Sequence, residues 1–108
     1  GMDVDVFITF WGLNAFRKDQ ITQNTRVSKD FEEMGGMMMQ MMQAKNVPSW
    51  YSILQRAKEL GNVKIHACAM TMDLMGMKKE HLADIVDDVV AVGEFIDIAK
   101  DSKISLFI

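Results

Sequence analysis

The run VDVFITF (4–10) constrains this chain more than any other stretch. It is rich in Val, Ile and Phe and apolar on both faces, which is how a strand covered on both sides reads. NVKIHA (62–67) reads as a second strand, and KISLFI (103–108) closes the chain as another buried one. Helical patterns separate them. In NVPSWYSILQRAKELG (46–61), Pro48 stops what precedes and Ser49 is placed to cap. Ile53, Leu54, Ala57 and Leu60 make its buried stripe, and Gly61 supplies the stop. KKEHLADIV (78–86) predicts a short helix, while DDVVAV (87–92) is ambiguous between strand end and helix start. VGEFIDIAKDS (92–102) carries Val92, Phe95, Ile96 and Ala99 at helical spacing. Strand, helix, strand, helix, strand predicts an α/β fold with right-handed crossovers and a parallel sheet. Three strands are clear and Val86–Val90 offers a fourth, where sheets usually have about 4–6. Because the chain opens directly on a strand, a β-α unit is expected to be absent from its front.

Composition bounds the function classes. A length of 108 residues suits one domain, and 49% hydrophobic residues suffice for a core. The net charge of −3 comes with no basic block, which argues against a nucleic-acid footprint. No apolar run reaches the ~18 residues of a membrane span, and no signal peptide is visible. One cysteine cannot form an internal disulfide, so a cytoplasmic location is expected.

The middle of the chain is less regular. RKDQITQNTRVSKD (17–30) is polar, without periodicity, and offers no core signal; 17–45 as a whole is expected to be a flexible or lid-like insertion. FEEMGGMMMQMMQAK (31–45) predicts an amphipathic helix with Phe31, Met34, Met38, Met41, Met42 and Lys45 on one face. Gly35 and Gly36 weaken it by roughly 1 kcal/mol each. Met37, Met38 and Met39 point in different directions on such a helix, so one face cannot bury them all. That favours a homo-oligomer.

The chemistry concentrates in KIHACAMTMDLMG (64–76), which holds the only cysteine, Cys68, and one of the two histidines. A lone cysteine ending a buried strand is most often an inert small hydrophobe. Its position argues otherwise, because parallel α/β sheets gather reactive groups outside the carboxyl ends of their strands. A helix starting near Thr71 would aim backbone N–H groups at the sulfur. His66 shares a strand face with Cys68 and could assist deprotonation, although a buried, hydrogen-bonded histidine is the stronger reading. His81 reads as a solvated surface residue. Asp73 is a candidate cap, and Asp87, Asp88, Glu94 and Asp97 read as a solvated acidic edge. Cys68, His66, Met70, Met72 and the 37–42 methionines are soft ligands that would suit Cu(I), yet no closed Cys/His spacing exists. Packing is favoured over ligation, and no metal site or cofactor is expected. No Ser/His/Asp set, phosphate loop or carboxylate pair with defensible geometry is visible.

Four stretches together carry a family likeness: VFITFWGLNAFRKD (6–19), MGGMMMQMM (34–42), KIHACAMTMDLMGMKKEHL (64–82) and VAVGEFIDIAKDSKISLFI (90–108). They resemble the DsrE/DsrF-like family, in its DsrE2, peroxiredoxin-like branch, over essentially the whole chain. The resemblance implies a three-layer α/β/α sandwich with a mainly parallel sheet, whose members usually begin with a further β-α unit of roughly 30 residues. It implies a sulfur-relay protein that carries sulfane sulfur on Cys68 and exchanges it with a small sulfur-carrier protein or sulfur donor. It also implies a homo-oligomer. The peroxiredoxin label implies no such activity here, because there is no second, resolving cysteine. Trp11 and Gly12, with Met70, Thr71 and Asp73, are the expected pocket around Cys68. The competing class is a non-catalytic assembly module with a buried, inert Cys68.

Overall fold

Residues 2–23 and 28–108 are described by the computed structural model. The order of elements is β1 (Asp3–Ile8), α1 (Phe10–Ala15), a 3-10 turn (Lys29–Met34), α2 (Gly35–Ala44), α3 (Trp50–Leu60), β2 (Asn62–Cys68), α4 (Ala69–Leu74), a 3-10 turn (Lys79–His81), β3 (Asp88–Val90), α5 (Val92–Ala99) and β4 (Ile104–Phe107). The strands form one sheet in the order β3-β2-β1-β4. Every pairing is parallel. The ambiguous DDVVAV stretch supplies the fourth strand, β3.

The two-faced pattern of VDVFITF is what the sheet uses. Val6 and Ile8, beside Ile65 and Ala67 of β2, pack with Leu13 of α1, Leu54 of α3 and Met72 of α4. Phe7, Cys68 and Val90 point the other way, into a second cluster with Phe95 and Ala99 of α5. Helices on both faces of a parallel sheet make the three-layer α/β/α fold. No helix among the described residues is long and apolar enough to cross a membrane.

The punctuation residues act through local hydrogen bonds. Ser49 caps α3 by accepting the Ser52 N–H at 3.1 Å. Ser49→Ala is expected to cost about 1 kcal/mol, read as a lower urea midpoint at unchanged slope. After α4, Gly76 takes a left-handed φ of 63° while Met77 N–H bonds the Met72 carbonyl and Gly76 N–H bonds that of Asp73. That pair of bonds is a Schellman stop. α2 ends in the same way at Asn46, φ 55°.

Several expectations are corrected. β4 was expected to be buried, but it is an edge strand paired only to β1, and Ile104, Leu106 and Phe107 are exposed. The α3 stripe is half right: Leu54 and Ala57 are partly covered, whereas Ile53 and Leu60 are exposed. Ile53 borders an open apolar groove of about 300 Å³ with Phe16, Trp50, Leu106 and Ile108. On α5, Phe95 and Ala99 turn inward and Val92 and Ile96 outward. Phe31, Met34, Met38 and Met41 are all exposed, and Phe31 breaks the helical path at φ −124°, so the 31–45 stretch buries no continuous face.

KKEHLADIV is not a helix beyond its three-residue turn. Its backbone is engaged elsewhere: Ala83 N–H bonds the Phe16 carbonyl, and the His81 carbonyl accepts from Lys18 N–H. Leu82, Ala83, Ile85 and Val86 are buried in that irregular path. The same contacts anchor the start of the 17–30 segment, which contributes Ile21 to the core although its sequence offered no such signal. Within the 17–45 span expected as a lid, residues 24–27 lie outside the described residues.

Candidate functional site

Cys68 is the last residue of β2 and the residue from which α4 starts, with extended backbone (φ −73°, ψ 116°). Strand alternation sends its side chain toward α5, where Phe7, Val90 and Phe95 enclose it. Only 4% of the residue is exposed. A thiol so placed reacts only when that cover moves.

The other expected pocket residues lie at the same end of the sheet. Trp11 and Met70 are 80% and 66% exposed, and Asp73 is also at the surface. Asp73 lends its backbone carbonyl to Gly76, and no side-chain cap closes α4. Thr71 is fully buried, and its Oγ1 accepts the Phe10 N–H at 3.4 Å, which joins the starts of α1 and α4. Phe10 itself holds φ at 42°, a left-handed value that strains a bulky residue and produces the sharp strand-to-helix bend. The Phe10–Thr71 bond thus ties α1, which carries Trp11 and Gly12, to α4, which carries Met70, Thr71 and Asp73, while the Cys68 side chain belongs to the α5 layer.

Strand order reverses between β1 and β4, the usual ligand crevice of such sheets. Here Ile108 lies against the β1–α1 turn. Thr9 N–H donates to the Ile108 carbonyl at 2.6 Å, and a Cβ on Gly12 would sit 2.8 Å from the Ile108 carbonyl carbon. Backbone cannot yield as a side chain end can. Gly12→Ala is therefore expected to cost about 1–3 kcal/mol and to loosen β4, seen as faster amide exchange at Phe107 and Ile108.

The sequence reading missed a polar constellation on the α5 face. His66, buried in the inner strand β2, places Nε2 at 2.7 Å from Asp5 Oδ1 and Nδ1 at 2.6 Å from Asp88 Oδ1. Asp5 is buried as well, and its second oxygen accepts the Ser102 hydroxyl. Burial disfavours the charged ring, but the bonds and charges of Asp5 and Asp88 outweigh it and raise the His66 pKa. Burial likewise opposes ionisation of Asp5, yet His66 and Ser102 hold its carboxyl below the usual value. The expectation of a buried, hydrogen-bonded His66 is met, and the acidic edge is exposed at all four positions, two of which also hold partners on β2. Asp88 bonds His66, and Asp87 accepts the Ile65 N–H at 2.7 Å and pairs with Lys58. Glu94 and Asp97 are exposed. His81 is exposed too, its Nδ1 accepting the Lys78 N–H at 3.0 Å. The available signal was a polar residue inside each of two apolar runs, Asp5 in VDV and His66 in IHA, since buried charges are paired. The two carboxylates flank the ring on opposite nitrogens, so they do not converge on one cation. No cluster of three or more His, Cys, Asp or Glu suited to a metal occurs among the described residues.

Comparison with known proteins fits this architecture. The model of the DsrE/DsrF/DrsH-like family matches residues 1–39 and 26–107. An uncharacterized protein of Bacillus subtilis, YrkE, is 32% identical over 130 residues, covering 98% of this chain and 78% of that protein. The sulfur carrier protein DsrE2 of Allochromatium vinosum is 31% identical over 129 residues, covering 100% of this chain and 80% of that protein. Both alignments are longer than the chain's 108 residues, so both relatives carry internal residues that this chain lacks.

Proposed function

The chain belongs to the DsrE/DsrF/DrsH-like family, and on that premise we propose that it is a sulfur-relay protein holding sulfane sulfur on Cys68. The observation that carries this reading is the position of its single cysteine at the carboxyl end of the inner strand β2. In the proposed cycle the Cys68 thiolate attacks the outer sulfur of a persulfide donor, and the donor thiolate leaves. A thiolate on a small carrier protein then attacks that outer sulfur, regenerating the Cys68 thiolate as leaving group. Sulfur is neither oxidised nor reduced overall, so one cysteine suffices. The exposed Trp11, Met70 and Asp73 form the surface on which donor or carrier docks at this end of the sheet, braced from beneath by Gly12 and the buried Thr71. Self-association through exposed methionines of α2, such as Met37, Met38 and Met41, belongs to the same reading.

Intact-mass measurement after incubation with a persulfide donor tests it. The expected result is a gain of one sulfur atom per chain, lost on adding a dithiol and absent in Cys68→Ser. Uptake by Cys68→Ser, or none by the native chain in mild denaturant where Cys68 is uncovered, overturns the reading in favour of an inert core cysteine.

A further inference from the structure

We propose that Asp5, His66 and Asp88 form a protonation-controlled clasp that holds the β3–α5 corner closed over Cys68. Both nitrogens of the His66 ring lie at hydrogen-bond distance from a carboxylate oxygen, 2.7 Å to Asp5 and 2.6 Å to Asp88. Ionised carboxylates only accept, so both ring nitrogens must donate, and only the imidazolium has two N–H groups. A neutral ring would turn a lone pair onto a carboxylate oxygen, and one side would have to open.

The side that opens is set by burial. The Asp5 side chain is largely buried and also takes the Ser102 hydroxyl, whereas the Asp88 side chain is 50% exposed and can turn to water. β3 is the weakest part of the sheet: three residues, paired on one edge to β2. Through Ala91 it runs directly into α5. Val90 of β3 and Phe95 of α5 are two of the three large side chains enclosing Cys68. Releasing Asp88 therefore loosens the same corner that covers the thiol.

The groups facing the ring come from every neighbouring element. Asp3 and Asp5 lie on β1, Lys64 on β2, Asp88 on β3, and Asp101 beside Ser102 in the turn after α5. α5 itself presents Phe95, its ring centroid 6.0 Å from that of His66. The polar groups border an open cavity of about 290 Å³ that gives water and protons a route to the clasp. A carboxylate at each ring nitrogen, with Asp3 and Asp101 nearby and Lys64 opposing them, favours the protonated ring and with it the closed clasp. It opens as pH rises through the elevated His66 value. Burial opposes that elevation, and the bonds to Asp5 and Asp88 produce it.

The inference rests on the sulfur-carrying reading only for its purpose, since access to the thiol is measurable without sulfur. Cys68 in the full chain is alkylated by a neutral reagent between about pH 6 and about pH 9, bracketing histidine titration. Each rate is divided by that of the urea-unfolded chain at the same pH, and nitrogen NMR follows the His66 ring in parallel. Both ring nitrogens are expected to be protonated at neutral pH. The normalised rate should rise on the order of tenfold, with the midpoint of the His66 titration. Asp88→Ala, at a half-exposed position, should give the fast rate at every pH. A neutral ring at neutral pH, a flat normalised profile, or a native-like profile in Asp88→Ala overturns the clasp. None of these outcomes touches the mass gain that tests sulfur carriage, so the two readings fail separately.

Discussion

His66→Ala is expected to lower the unfolding free energy by about 3–5 kcal/mol, the range for removing one partner of a buried charge pair. The loss falls mainly on Asp5, a 7% exposed carboxylate left with Ser102 as its remaining side-chain partner. Asp88 contributes less, because half of its side chain already meets water. Pairing His66→Leu with Asp5→Leu removes both charges and should be more stable than His66→Ala alone. Urea unfolding at constant slope measures both variants. A single-variant loss below about 1 kcal/mol would mean that Asp5 rehydrates freely and that no buried pair exists. The pH dependence has a definite sign on each side. The raised His66 value means that its contribution is complete below the ordinary value of 6.5 and is lost as pH rises through the folded value. The lowered Asp5 value means that its contribution is complete above 3.8 and is lost as pH falls through the folded value. The difference between native and His66→Ala chains is thus largest between those two ordinary values and shrinks outside them.

What the sequence made legible was local. Ser49, Gly61 and the apolar character of VDVFITF each act through neighbours within a few positions, so strand and helix order followed, and with it the placement of Cys68 at a strand end. What it hid depends on strand order. KISLFI reads the same whether two strands flank it or one, and at the sheet edge Leu106 and Phe107 are left exposed. The clasp is hidden for the same reason: His66 meets Asp5 from 61 residues away and Asp88 from 22. KKEHLADIV failed differently. Its spacing suits a helix, but tertiary hydrogen bonds from Phe16 and Lys18 outcompete the ladder it would need. Cys68 shows where hydropathy is silent: the sequence put it at the reactive end of the strand, and the side-chain alternation of β2 put its sulfur under α5.

Phe7 supplies much of that cover. Phe7→Ala should cost about 3–5 kcal/mol through lost transfer energy and the cavity left behind. Phe7 is wholly buried, stacks on Phe95 at 4.7 Å between ring centroids with 13° between planes, and lies 5.3 Å from Phe107. A domain of this kind with on the order of 5–15 kcal/mol of stability can absorb such a loss and stay folded. Global destabilisation alone would also speed thiol labelling, so the comparison that matters is with Ile65→Ala. Ile65 is equally buried but lies in the opposite core, and its truncation costs about 2–5 kcal/mol. If Cys68 is reached by local opening of the α5 layer, Phe7→Ala speeds its alkylation well beyond what its measured stability loss requires, while Ile65→Ala speeds it only in proportion. Equal acceleration at equal destabilisation would mean that Cys68 is reached only through global unfolding. A residue reached only that way cannot serve as a working sulfur carrier in the folded chain.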